Sequence, residues 1–324
     1  MRLTLAWVLV LAAGCKGGGN NDYAAMAKAA NAARADAGNP LAMPAPPNAT
    51  LLASNQNSPR LLTQEGDSLF WLNEGGRIGP VGLFKVAKSG GQVTTLMQEP
   101  ELTAMAVDGS DVFFLAPRAG KLGKVPRNGG SPTILAELQG TIRGMAIDDT
   151  DVFYAEDEGI QRVPKGGGKA AVVASATIPD FLVADSSNVY WYSTISGVLS
   201  KAGKKGGGSG IKVHADDQHT LHTFFIDGND LFVSYGSEKQ MTIQRLPKTG
   251  GKPVPIVEGQ DPANGFAIDA QNVYWSTDDT IFKVPRNGGS ATKVVDKCEH
   301  AHDIAVDSQY IYWTDRTRVQ RMPK

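Results

Sequence analysis

The sequence predicts an all-β chain whose body, residues 49–324, is a seven-bladed β-propeller closed by its own N-terminal strand. Three observations carry that prediction. One pattern of about 40 residues recurs seven times from residue 60 onward, and self-similarity at that period is a propeller signature. Each copy holds four short strand signals. The seventh copy stops one strand short, and a matching strand stands ahead of the first copy.

The strands are a to d in each copy. Strand a is an apolar segment ending in Asp108, Asp148, Asp185, Asp227, Asp269 or Asp307, with Glu65 in the first copy. The spacings between these positions are 43, 40, 37, 42, 42 and 38. Strand a is apolar throughout, as a strand covered on both faces should be. Small residues near its end, Ala106, Ala146, Ala267 and Ala305, suit crowding around a central channel. Strand b carries aromatics, from Phe70-Trp71 through Tyr190-Trp191 and Tyr274-Trp275 to Tyr312-Trp313, which fill the wedge between blades. Strand c ends in motifs such as Lys124-Val125-Pro126-Arg127, and a Gly-Gly pair follows; glycine supplies the positive φ of a tight turn. Strand d is β-branched and apolar, as at 133–136.

The seventh copy ends at Lys324, after strand c. Thr50-Leu51-Leu52-Ala53 matches Thr133-Ile134-Leu135-Ala136. The N-terminal segment is therefore expected to complete the last blade and remove a free sheet edge.

Residues 1–14 read as a signal segment. Arg2 supplies the positive charge, and residues 3–13 form an apolar run shorter than the ~20 residues that span a bilayer. Leu11-Ala12-Ala13-Gly14-Cys15 resembles a bacterial lipobox, with Ala12 where leucine is commoner. That resemblance implies lipidation of Cys15, and Lys16, in place of a retention-signal Asp, implies the outer membrane. With two cysteines in the chain, a lipidated Cys15 leaves Cys298 without a disulfide partner. Residues 15–48, rich in Gly, Ala and Pro, form a tether with a reach of roughly 30 Å.

Tyr312-Trp313-Thr314-Asp315 is similar to the Tyr-Trp-Thr-Asp motif of receptor-type propellers, and Tyr274-Trp275-Ser276-Thr277-Asp278 is a looser version. Those propellers have six blades, whereas seven are counted here. Taken whole, residues 49–324 resemble YWTD-like and SMP-30/NHL-like β-propeller lipoproteins of deltaproteobacterial, myxobacterial type. The class is defined by fold more than by activity, so the resemblance implies no reaction.

Composition bounds the function. A net charge of −1 argues against nucleic acid as a partner, because its binders carry a basic excess. The Asp pairs of the a–b turns invite a calcium reading, but their repetition in nearly every blade favours turn capping, and no EF-hand pattern is present. The Gly-Gly pairs match no phosphate loop.

Candidate site residues come from one register position, five residues before the strand-a Asp. It holds Arg60, Thr103, Arg143, Asp180, His222, Asn264 and His302. The position is polar in every copy and differs between most of them, as a ligand-facing ring at the channel mouth would. Arg60, Arg143, Asp180, His222, Asn264 and His302 are the candidates for ligand or partner contact, and His222 with His302 could hold a metal. No catalytic constellation stands out; Glu156, Asp157 and Asp278 in b–c loops are weak acid–base candidates. The favoured expectation is a non-enzymatic binding or scaffolding propeller with a monomeric body. Its partners are the bilayer, through Cys15, and an envelope protein or small ligand on the d–a and b–c loop face. No cofactor is expected, calcium or another divalent metal being the alternative. A lactonase-like, metal-assisted hydrolase or lyase at the channel mouth is the runner-up. A cell-wall carbohydrate binder using Trp71, Trp191, Trp275 and Trp313 is the third reading. A ring of cations, Lys88, Arg127, Lys165, Lys204, Lys248, Arg286 and Lys324, is expected on the opposite face. There it would face the membrane and attract anionic head groups weakly.

Overall fold

Blade by blade, the strand order of the computed structural model follows the repeat. It describes residues 46–73, 79–216, 219–237 and 240–324; the signal segment, Cys15 and the tether to residue 45 lie outside the described residues. Seven antiparallel sheets are arranged as a β-propeller. In blade 2, for example, strand a is Ala104–Val107, b is Asp111–Ala116, c is Lys121–Pro126 and d is Thr133–Glu137. The last sheet has the order Thr50–Ala53, Val319–Pro323, Tyr310–Thr314, Ile304–Val306. The N-terminal strand is thus the outer strand of blade 7, with Thr50 opposite Arg321 and Leu51 opposite Gln320.

The core is not one mass. Buried apolar residues fall into seven clusters, each made by two neighbouring blades. A four-stranded sheet has two faces, and in a ring each must be covered by a neighbour. At the seam, Leu52 and Ala53 of blade 7 pack with Leu62, Trp71 and Phe84 of blade 1 and Tyr312 of blade 7. Every c–d pairing carries a register shift at its centre. Bulges twist an outer strand and make it a poor template for further pairing. A further strand escaped the sequence: Gly208–Ser209 adds a short parallel strand to the outer edge of blade 3. Its signal is only a glycine run, which carries no strand propensity.

The a–b turns are built as the repeat implied. In Asp108, Asp148, Asp185, Asp269 and Asp307, Oδ1 accepts two backbone N–H groups at 2.7–2.9 Å. Their other oxygens receive a cation from the next blade. Lys165 reaches Asp108 at 2.6 Å, Lys248 reaches Asp185 at 2.6 Å, and Lys88 reaches Asp307 at 3.0 Å. Lys204 pairs with Asp148, Arg286 with Asp227 and Lys324 with Asp269. Arg127 donates to the carbonyl of Glu65 at 3.0 Å, blade 1 having no Asp there. Several of these cations also lie over the strand-b aromatic of the blade they reach, as Lys165 does over Phe113 and Lys88 over Tyr312. The expected ring of cations is therefore an ion-paired belt that ties each blade to the one before it. Its charge is largely neutralised within the protein, which weakens the expected attraction to head groups.

Two outcomes follow from closure. Leu52 is as buried as its counterpart Leu135, each 5% exposed. Leu52→Ala should therefore cost ~2–4 kcal/mol, close to Leu135→Ala, in paired thermal melts. A negligible loss for Leu52→Ala alone would show that the strand does not close the ring.

Burial alone would raise the Asp307 carboxyl. The N–H groups of Gln309 and Tyr310, the Tyr312 hydroxyl and Lys88 outweigh it and hold the pKa down to about 2. A carboxylate lowered from 3.8 stabilises the fold above that pH and loses its contribution as pH falls through about 2. Asp307→Asn should lower stability at pH 7 and leave it little changed at pH 2, measured by denaturant titration at both pH values.

Candidate functional site

Strand a begins at the channel mouth, so the residue just before it is placed by the a–b ladder. The backbone N–H groups of Thr103, Arg143, Asp180, Asn264 and His302 donate to the carbonyls of Leu115, Ala155, Tyr192, Ser276 and Thr314 at 2.8–3.1 Å. Arg60 lies opposite Leu72, and His222 sits at a bulge between Leu221 and Thr223. The seven positions are structurally equivalent, and their side chains differ.

They form two groups. On blades 3 and 4, Arg143 approaches Asp157 at 3.4 Å and Asp180 at 3.6 Å. Asp180 also accepts the Thr194 N–H at 2.9 Å and its hydroxyl at 2.6 Å. This group is charge-compensated. Beside it, burial and then the nearby Asp157 raise the Glu156 carboxyl, against a backbone hydrogen bond at Gln139.

The second group spans blades 6, 7 and 1. Asn264 donates to Asp278 at 3.0 Å and to the Ala301 carbonyl at 2.9 Å. Asp278 lies 3.7 Å from Nδ1 of His300, and Arg316 reaches Nε2 of His300 at 2.9 Å. His302 lies within the field of Arg60, His300 and Arg316. Burial first, then those three groups, push its imidazole down to about 4, against the opposing pull of Asp278. Burial also lowers His222, whose Nε2 is buried without a partner among the described residues. Among the described residues no hydrogen bond or ion pair links His222 to the group around His302. Among the described residues no three His, Cys, Asp or Glu side chains are grouped as metal ligands.

The Tyr-Trp-Thr-Asp segment builds this wall. The Thr314 carbonyl accepts the His302 N–H at 2.9 Å, and its hydroxyl accepts the Asp303 N–H at 3.1 Å. Asp315 is fully buried and accepts the N–H groups of Thr317 at 3.1 Å and Arg318 at 2.9 Å. It also takes Arg318 Nε and Gln320 Nε2, each at 2.7 Å. The loop that carries Arg316 is thereby fixed from inside. From outside, Ser58 donates to the Arg316 carbonyl at 3.1 Å and Gln56 to that of Thr317 at 2.8 Å. Asp303 crosses the seam to accept the Leu61 N–H at 2.7 Å, next to Arg60.

Two residues further along strand a, about 7 Å deeper, the surroundings turn apolar. A cavity of about 90 Å³ is lined by Leu62, Phe225, Phe266, Ile268, Ile304 and Val306 among others. These come from blades 1, 5, 6 and 7, the blades that present Arg60, His222, Asn264 and His302 above it.

Arg316 and Asp303 were missed by the repeat register. The available signals were an arginine directly after the Tyr-Trp-Thr-Asp motif and a carboxylate where other copies hold apolar residues, glycine or Thr223. Trp71, Trp275 and Trp313 are fully buried and Trp191 is 3% exposed, so they are wedges between blades and offer no stacking platform to a sugar. Cys298 is buried, and burial pushes its thiol up to about 12.

No protein-family model and no curated protein matches the sequence. Solved structures do match. Virginiamycin B lyase from Staphylococcus aureus superposes with a TM-score of 0.68 at 13% identity, over 85% of this chain and 99% of that one. A nidogen/laminin complex gives 0.51 at 15% identity, over 64% and 86%. The extracellular domain of a hybrid two-component system from B. thetaiotaomicron gives 0.60 at 9% identity, over 84% and 40%. At these identities the likeness is one of fold. The chain is a seven-bladed β-propeller, and the likeness extends to a chain of a protein–protein complex as well as to a lyase, so the fold by itself names no activity.

The His302 environment is directly measurable. Its ring resonances should titrate near pH 4 in a nuclear magnetic resonance pH series, and Arg60→Gln should move the midpoint upward. Because the unfolded chain takes that proton first, His302 removes stability as pH falls from 6.5 towards 4.

Proposed function

We propose that the protein is a lipid-anchored envelope protein of the deltaproteobacterial type its repeats resemble. Its propeller binds a ligand or partner, without catalysis, on the face of the d–a and b–c loops. The contrast between the two faces carries this reading. The a–b and c–d face repeats one device in each blade and satisfies its own charges. The other face places seven polar side chains, of five residue types, at equivalent sites around an apolar channel. Repetition serves the ring, and variation at equivalent positions serves recognition. The tether joins strand Thr50–Ala53 beside the Lys324 end of its neighbour, on the ion-paired face, so the variable face points away from an anchoring membrane.

A second reading, a hydrolase or lyase at the channel mouth, has one observation in its favour. His302 is held neutral beside Arg60, an arrangement that could move a proton in catalysis.

The anchor and the face are tested together. Cys15→Ala should move the full-length protein from the membrane to the soluble fraction on cell fractionation. Capture of membrane components by the tethered protein should be lost with Arg143→Ala plus His302→Ala and kept with Lys169→Ala plus Lys252→Ala, which alter the c–d turns. Equal loss in both pairs would refute docking on the loop face.

A further inference from the structure

We propose that the wall formed by blades 6, 7 and 1 is a binding subsite for an oxyanion, the carboxylate or phosphate group of a small ligand. Arg316, His302 and Arg60 are its recognition groups. The inference rests on the preceding reading of the loop face and names the chemistry that one part of that face would take.

The geometry argues in four steps. First, the groups converge across the seam from two blades: Arg60 lies at the start of strand a of blade 1, His300 and His302 precede strand a of blade 7, and Arg316 lies in the b–c loop of blade 7. Second, the residues are pre-set. Arg316 stands on a loop whose backbone is held by buried Asp315 and by Ser58 across the seam. His300 adopts a left-handed backbone, φ 54, which non-glycine residues take rarely and at functional sites disproportionately. Its ring thereby lies between Asp278 and Arg316.

Third, the balance of charge at the His302 ring is positive. Arg60, His300 and Arg316 act on it in one sense and Asp278 in the other. The Asp278 side chain is 73% exposed, so water screens it. Asp303, the carboxylate next in sequence, is buried and accepts the Leu61 N–H across the seam. Fourth, the His302 ring makes no hydrogen bond to any described residue, and Asn264 directs both amide hydrogens away, to Asp278 and Ala301. An oxyanion seated here would accept from Arg316 and from the His302 ring. Charge-assisted bonds of this kind are short and strong, and arginine suits the planar or tetrahedral oxygens of carboxylate and phosphate.

A bound anion reverses the field at His302. The imidazole then gains a proton as the anion enters, so affinity should rise as pH falls from 7 towards 5. The groups that set this dependence are Arg60, His300, Arg316, Asp278 and the neighbouring Asp303.

Isothermal titration of the full chain, in detergent, with inorganic phosphate and separately with succinate tests the site. At least one probe should saturate, with tighter binding at pH 5.5 than at pH 7.5, and the responding probe tells a phosphate from a carboxylate ligand. Arg316→Ala should weaken binding about tenfold, His302→Gln should abolish the pH dependence, and Arg118→Ala, an exposed arginine on blade 2, should change nothing. Absence of saturable binding by both probes, or equal weakening by Arg118→Ala and Arg316→Ala, overturns the proposal. That failure is separable from failure of the loop-face reading, because loss of membrane capture in the Arg143 and His302 variants is read independently of either anion.

Discussion

Closure of the ring at the junction of blades 7 and 1 is the constraint on which the molecule depends. Each blade buries aromatics on both sides and cannot cover them alone. A linear array of seven would leave two apolar faces exposed, one at each end. Joining the ends removes both, and the joint is made by Leu52 and Ala53 packing against Trp71 and Phe84. The same short segment then continues into Gln56, whose amide oxygen accepts the indole of Trp71 and the amide of Asn73, each at 3.1 Å. A strand from one terminus and a sheet from the other thus share one hydrogen-bonded and apolar interface.

Closure also explains where the candidate site lies. Six junctions join consecutive blades, and the closing one joins the two ends of the propeller. The seam is where the connection 54–58 pins the Arg316 loop, where Asp303 reaches Leu61, and where Arg60 meets the field of His302. A polar cluster with several cationic members is costly to assemble unless the backbone beneath it is fixed. The Tyr-Trp-Thr-Asp segment supplies that fixity, with Asp315 buried and fully engaged by the loop it holds. The motif reads as a signature of the fold; in this chain it also positions side chains at the mouth.

The two faces divide the labour between stability and recognition. On one, each strand-a carboxylate caps its own turn with one oxygen and receives the next blade's cation with the other. Burial raises the carboxyl groups of Asp108, Asp148, Asp185 and Asp269, and the hydrogen bonds from lysines and turn N–H groups outweigh it, so all four titrate lower than usual. Asp227 departs from the pattern. It pairs with Asp230 in a tight hairpin and still receives Arg286, so the link between blades persists where the capped turn does not. The other face carries no repeated device, which leaves its side chains free to differ.

The sequence by itself determined the number of blades, the strand order and the closing strand. All of these are periodic, and period is written in one dimension. It also determined that the carboxylates of the a–b turns serve the turns. Only the tertiary structure decided which blade each cation serves, because Lys165 and Asp108 are distant in sequence and adjacent only across an interface. It likewise decided that Asp303, His300 and Arg316 join His302 and Arg60, since closure brings residue 60 beside residues 302 and 316. Interactions that repeat leave a trace in the pattern. Those made once, at the place where the chain meets its own beginning, do not.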